Sequence, residues 1–161
     1  MEKILILSDI HRSTRTAAKI IDEHRDADAI IFLGDGEDAF ENAMAECGID
    51  IYGKRPAVYQ VAGNCDWDSM LPMTIIPEFE NVRVCATHGH GYSVKAKQGR
   101  VRLAEEASAR GCGCAIFGHT HSKTIEEING VTMFNPGAVQ NGEYGLAFAE
   151  NGTIRFEHRS V

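Results

Sequence analysis

Two hydrophobic patterns alternate along most of the chain. Ile4 to Leu7 and Ala29 to Leu33 are unbroken apolar runs, the pattern of strands covered on both faces. Between them Ser13 stands where a helix N-cap belongs, and Ala17, Ile20 and Ile21 follow at helical spacing. Phe40, Ala43, Met44 and Cys47 repeat that spacing before Gly48 stops it. Ala57 to Val61, Val82 to Ala86 and Cys114 to Phe117 read as further strands. The segment from about Ser93 to Arg110 reads as a helix with Val101, Ala104 and Ala107-Ser108 turned inward and Gly111 as its terminator.

After residue 124 the pattern changes. Asn129-Gly130 separates Thr124–Ile128 from Val131–Phe134, and Asn151-Gly152 separates Tyr144–Ala149 from Thr153–His158. Each is the strongest short-range signal for a two-residue hairpin turn. Alternating strand and helix followed by antiparallel hairpins predicts a layered α/β domain with two sheets rather than one wound sheet.

Composition narrows the class. At 161 residues, with no linker, repeat or low-complexity stretch, the chain is expected to form one domain over residues 1–161. Its 43% hydrophobic content suffices to close a core and excludes a disordered chain. No apolar run approaches the ~18 residues of a membrane span, and Ser8-Asp9 breaks the first run too early for a signal peptide. Five cysteines, an odd number without regular spacing, fit reduced thiols and a cytoplasmic location. A net charge of −7 argues against strong nucleic-acid binding through the overall field, although bound cations reverse such a potential locally.

The polar residues gather at strand ends. Ser8-Asp9-Ile10-His11 follows the first strand, Gly34-Asp35 the second, and Gly63-Asn64-Cys65-Asp66 the third. Thr87-His88-Gly89-His90 and Gly118-His119-Thr120-His121 follow the next two. Five of the seven histidines lie in these segments, and only His24 and His158 fall outside. In α/β sheets the carboxyl ends of strands converge on the ligand crevice. Asp, Asn and His delivered there together form a mixed oxygen and nitrogen metal shell. Asp9/His11 and His119/His121 are i, i+2 pairs, which point the same way along an extended segment. The neighbouring glycines permit tight turns close to the metals. A single Asp-x-His is weak evidence, but five such segments, all at strand ends, are not explained by ordinary surface chemistry.

The series Asp9-x-His11, Gly34-Asp35, Gly63-Asn64, His88 and Gly118-His119-x-His121 resembles the five-part signature of the calcineurin-like metallophosphoesterases. Gly63-Asn64-Cys65-Asp66, with Asn135-Pro136-Gly137 downstream, is similar to the small single-domain phosphodiesterase branch of that superfamily, which also includes the retromer scaffold subunit. The resemblance implies a four-layer αββα sandwich of two mixed sheets flanked by helices. It implies one metal held by Asp9, His11 and His121, another by Asn64, His88 and His119, and a carboxylate of Asp35 bridging them. Two divalent transition-metal ions suit this set, manganese first, with iron, nickel, cobalt or zinc fitting the same donors. Ions ~3.5–4 Å apart clamp one phosphate and share a hydroxide nucleophile. His11 and His121 are accordingly expected at one ion, brought there by strands meeting at a common sheet edge.

One departure bears on chemistry. Larger members carry a His after the metal-binding Asn, thought to protonate the leaving group, where this chain has Cys65. A thiol is a poorer acid for a departing alkoxide, and a small buried filler is an equal reading of Cys65. His90 is the better candidate for contacting substrate or hydroxide, or for a hydrogen bond behind the metal ligands. Arg12 either faces a phosphate or is solvated, and Lys95, Lys97, Arg100 and Arg102 form a basic rim or a solvated helix face. Trp67 either stacks on a nucleobase or anchors its loop, with the packed anchor preferred. Cys112 and Cys114 read as structural. The expectation is a metal-dependent phosphodiesterase acting on a small phosphorylated substrate through a metal-activated hydroxide, with a homo-oligomer left open. Its rivals are a catalytically weak or inactive scaffold of the same fold that binds partner proteins, and a redox or sensory protein, against which the scatter of the cysteines counts.

Overall fold

A computed structural model describes residues 1–161. Its first half runs β1 (Glu2–Leu7), α1 (Thr14–Glu23), β2 (Ala29–Phe32), α2 (Glu37–Glu46), β3 (Ala57–Gln60), β4 (Thr74–Ile75), β5 (Glu78–Phe79) and β6 (Val82–Thr87). Its second half runs α3 (Lys97–Ala109), β7 (Cys114–Ile116), β8 (Thr124–Ile128), β9 (Val131–Asn135), β10 (Glu143–Glu150) and β11 (Thr153–Ser160). Parallel strands β1, β2 and β3 share a sheet with the closing hairpin, in the order β11-β10-β1-β2-β3. The other sheet has the order β4-β6-β7-β9-β8, with β5 pairing beside β6. It is parallel at its centre, β6 to β7 to β9, and antiparallel at its flanks.

The period of two along each buried strand decides the layering. Ile4 and Ile6 of β1, Ala29 and Ile31 of β2, Val84 and Ala86 of β6, and Cys114 and Ile116 of β7 share one core between the sheets. The alternate residues Leu5, Leu7, Ile30 and Phe32 face Ile20, Ile21 and Phe40 of α1 and α2. On the far side Cys85, Ala115 and Met133 meet Leu103, Ala104 and Ala107 of α3. The result is helix, sheet, sheet, helix, which is why both central sheets are apolar on both faces. No helix is long and apolar enough to cross a membrane.

Several local expectations need correction. Strands β4 and β5 have only two residues each, too short to show a period. The third helix begins at Lys97, not near Ser93, because a 3-10 turn over His90–Tyr92 ends on Ser93 in the left-handed conformation, φ 58°. Ser108 is exposed and Val101 half-buried. Ser13 sits at the N-cap of α1 without making a side-chain capping bond. The two hairpins also join different sheets, and β9 pairs with β7 in parallel as well as with β8.

Candidate metal centre

The five polar segments meet at the carboxyl ends of β1, β2, β3, β6 and β7. The first three belong to one sheet and the last two to the other. His11 and His121 therefore meet across the two sheets, not along the common edge of one. Their backbone is not extended either. Asp9, His11, Asp35, His119 and His121 have φ of 53°, 51°, 64°, 67° and 59°, in the left-handed region that non-glycine residues rarely adopt. Such strain persists where the surroundings over-determine it. Here the amide of Asp9 donates to Gly34 O at 3.0 Å and that of His11 to Asp35 O at 2.8 Å, tying the first loop to the second. Val139 and Gln140 donate to the carbonyls of Ser8 and Asp9 from the other side.

The donor atoms fall into adjoining groups. Asp9 Oδ1 lies 3.0 Å from His121 Nε2 and 3.8 Å from His11 Nε2, and the two imidazole nitrogens are 3.4 Å apart. Ligands bound at ~2.1 Å to one ion in tetrahedral or octahedral array stand roughly 3.0–3.4 Å apart. Asp35, His88 and His119 form a second group, and Asn64 Oδ1 is 3.0 Å from His88 Nε2. Asp35 also groups with His11 and Cys65, so its carboxylate stands between the two sets. All seven expected ligand residues are thus brought together. Asp9 Oδ1 is buried without a hydrogen-bond partner, an arrangement a cation relieves and an apolar pocket does not.

Charge is distributed unevenly. Burial opposes ionisation of Asp35, but the His88 imidazole and the Cys65 amide hold its carboxyl well below the usual carboxylate range. Burial works against a charged His88 as well, yet Asp35 and Asp9 raise it above the ordinary value. Its Nδ1–H donates to Leu33 O at 2.7 Å. Its Nε2 faces Asp35 Oδ2 at 3.3 Å and Asn64 Oδ1 at 3.0 Å. Burial and the neighbouring His88 depress both His90 and His119, which are therefore neutral at neutral pH. His90 lies beside these rings, its centroid 5.4 Å from that of His88, with a buried and unpartnered Nδ1.

Residues that sequence reasoning left without a role hold the loops. Ser8 Oγ donates to Asp9 Oδ2 at 2.6 Å. Asp66 accepts from the amides of Asp35, Gly36, Glu37 and Gly63 at 2.9–3.1 Å. Asn135 Nδ2 donates to Gly118 O and Thr120 Oγ1, fixing the turn between His119 and His121. The Gln140 carboxamide reaches His121 Nδ1 at 3.0 Å. The only sequence signal was that Asp66 and Asn135 sit in polar segments. His24 bonds Tyr144 and His158 donates to Asn135 O, away from the cluster.

The periphery revises two expectations. Cys65 is exposed, not a buried filler, and the partial loss of water around its sulfur together with nearby Asp35 pushes its thiol up, so the proton stays on sulfur. Trp67 is 90% exposed and anchors nothing. Arg12 is exposed at a cleft of roughly 520 Å³ beside His11. Lys97 and Arg100 pair with Glu126, and Arg102 donates to Tyr92 O. Cys112 and Cys114 are buried.

Comparison with known proteins agrees with this geometry. A probable metallophosphoesterase of Mycoplasma pneumoniae is 28% identical over 141 residues, 87% of this chain and 80% of the relative. A phosphodiesterase of Methanocaldococcus jannaschii is 27% identical over 146 residues, 84% and 82% of the two chains. In fold, the chain is similar to Vps29 of Entamoeba histolytica, solved in complex with zinc, with a TM-score of 0.71, 17% identity and 98% of each chain covered. Residues 2–151 match the calcineurin-like phosphoesterase superfamily domain, and with its sandwich and its clustered Asp, Asn and His donors the chain belongs to that superfamily of metal-dependent phosphoesterases.

Proposed function

We propose that this protein hydrolyses phosphodiesters at a dinuclear centre, with Asp9, His11 and His121 on one ion, Asn64, His88 and His119 on the other, and Asp35 bridging. The observation that carries the reading is the position of the Asp35 carboxylate, whose oxygens lie within 4.8 Å of a ring nitrogen of His11 on one side and of His88 and His119 on the other. Two divalent ions, manganese foremost, supply when bound the electrophile that clamps the phosphoryl group and the acidity that makes water nucleophilic at neutral pH. The chain's own contribution is to aim four imidazoles, the Asn64 carboxamide and two buried carboxylates at one place, so few negative charges would offset the electrophilic character of the ions. Neutral His90 is held at the edge of the cluster, available to contact substrate. Cys65 keeps its proton too firmly to assist a poor leaving group, which favours diesters with good ones.

Metal analysis and hydrolysis of bis(p-nitrophenyl) phosphate on one sample test the proposal. Two ions per chain and metal-dependent turnover are expected. In Asp35→Asn, both occupancy and most activity fall together. Full loading with undiminished turnover in that variant sinks the bridging assignment. Two bound ions with no hydrolysis in the wild-type chain replace the enzyme by the partner-binding scaffold, a reading that the fold it shares with Vps29 keeps in view.

A further inference from the structure

The cleft beside the cluster has a chemistry of its own. His11 and Cys65 line it and also group with Asp35, so it opens directly onto the donor set. Trp67 lines it too, 90% exposed. A large aromatic surface held in water next to a reactive centre is the opposite of a core anchor, and its flat face suits stacking against a planar group. Arg12 is the only lysine or arginine lining the cleft, while Asp38 and Asp68 add exposed carboxylates to its wall.

Resting on the phosphodiesterase reading above, we propose that this cleft is a nucleoside subsite. It takes a phosphodiester of a single nucleoside, with the base stacked on Trp67 and sugar hydroxyls donating to Asp38 or Asp68. The charge pattern sets the class. One guanidinium matches one phosphate, and the carboxylates that accept hydroxyl hydrogens repel further phosphates. Polynucleotides and nucleoside polyphosphates are therefore excluded, in keeping with the net charge of −7.

Trp67 is the only tryptophan in the chain, so intrinsic fluorescence reports on this residue alone. In metal-loaded protein, adenosine monophosphate is expected to quench it saturably and ribose phosphate to do so far less. Activity gives a second reading through two esters with the same leaving group, the p-nitrophenyl ester of thymidine monophosphate and methyl p-nitrophenyl phosphate. The ratio of their kcat/KM values should fall about tenfold in Trp67→Ala and stay within about threefold in Trp67→Phe, as stacking of one base predicts. Equal quenching by the two phosphates, or an unchanged ratio in Trp67→Ala, overturns the subsite. Fluorescence that follows protein concentration and ignores nucleotide overturns it too, and assigns Trp67 to contact between copies. If wild-type protein cleaves neither ester, the phosphodiesterase reading fails instead, and base-dependent quenching still decides the subsite.

Discussion

At the scale of single residues, the centre depends on backbone that few residues tolerate and on places where no side chain fits. A Cβ at Gly63 would run into the Asp35 carboxylate and amide, because the third loop passes directly over the second. Gly63→Ala is therefore expected to displace Asp35, lowering stability by about 1–3 kcal/mol and reducing metal occupancy. Thermal unfolding and metal content of the variant check both, and an unchanged metal content would show that the loops separate freely. Cys65 gives a second residue-scale expectation. With the proton held on sulfur, cleavage rates across a leaving-group series should fall steeply as the leaving group worsens, and Cys65→His should flatten that dependence by supplying an acid worth ~10²-fold or more. A shallow dependence in the wild-type chain, made steep by Cys65→Ser, would assign proton donation to the thiol. The donor residues themselves were legible in the sequence because their types are restricted by chemistry. Their conformation was not. Asp9-x-His11 and His119-x-His121 converge through left-handed backbone, fixed by hydrogen bonds to the carbonyls of Gly34 and Asp35 and from the carboxamide of Asn135 that no local pattern announces.

At the scale of elements, the strands and helices with a clear period were readable and the short or strained ones were not. β1 and β2 declared themselves as apolar runs, whereas β4 and β5 have two residues each and exist through pairing with β6. The start of α3 shifted because Gly99 packs against the carbonyls of Tyr92 and Ser93, a tertiary contact that fixes a tight turn ahead of the helix. α2 shows how an element is held for the sake of the site. Its N-cap is Gly36, which brings no capping side chain, and the carboxylate of Asp66 from the third loop accepts the amides of Gly36 and Glu37 instead. The same carboxylate accepts from Asp35 and Gly63, so one side chain caps the helix and ties two loops. Removing it leaves several amides unsatisfied near the helix N-terminus. Asp66→Ala should lower unfolding free energy by about 2–4 kcal/mol, and it should weaken metal binding although Asp66 holds no metal in the proposed centre. Chemical denaturation in chelator separates the first effect from the second. Asp66→Asn, which keeps one acceptor oxygen, should retain part of both.

At the scale of the whole molecule, two sheets that face each other bring together residues far apart in the chain, His11 and His121 being separated by 110 positions. The strand-and-helix alternation followed by hairpins foretold two sheets. It could not say which hairpin joined which sheet, since that follows from the long-range pairing of β10 with β1 and of β9 with β7, and Phe134 and Phe156 then stack at 4.7 Å between the layers. The burial that closes this sandwich also shields its thiols. Cys85 and Cys114 are pushed up to about 11 and about 12 and stay protonated, which leaves Cys65 as the exposed one. The same burial governs how metal binding depends on pH. His88 is raised by Asp35 and Asp9 against its desolvation, so it keeps a proton above its ordinary value of 6.5, whereas His119 and His90 are lowered and have already lost theirs. A cation seated on His88 Nε2 must expel that proton. In chelator, the raised His88 contributes stability that is fully present below about pH 6.5 and is lost as pH rises through its folded value. Metal binding has the opposite slope, its apparent affinity falling about tenfold per pH unit once His88 is protonated. Calorimetry in buffers of different ionisation enthalpy should find more proton release on loading below neutral pH than above it, and His88→Gln should lessen that difference. A pH dependence of release that is unchanged in the variant would remove His88 from control of the centre.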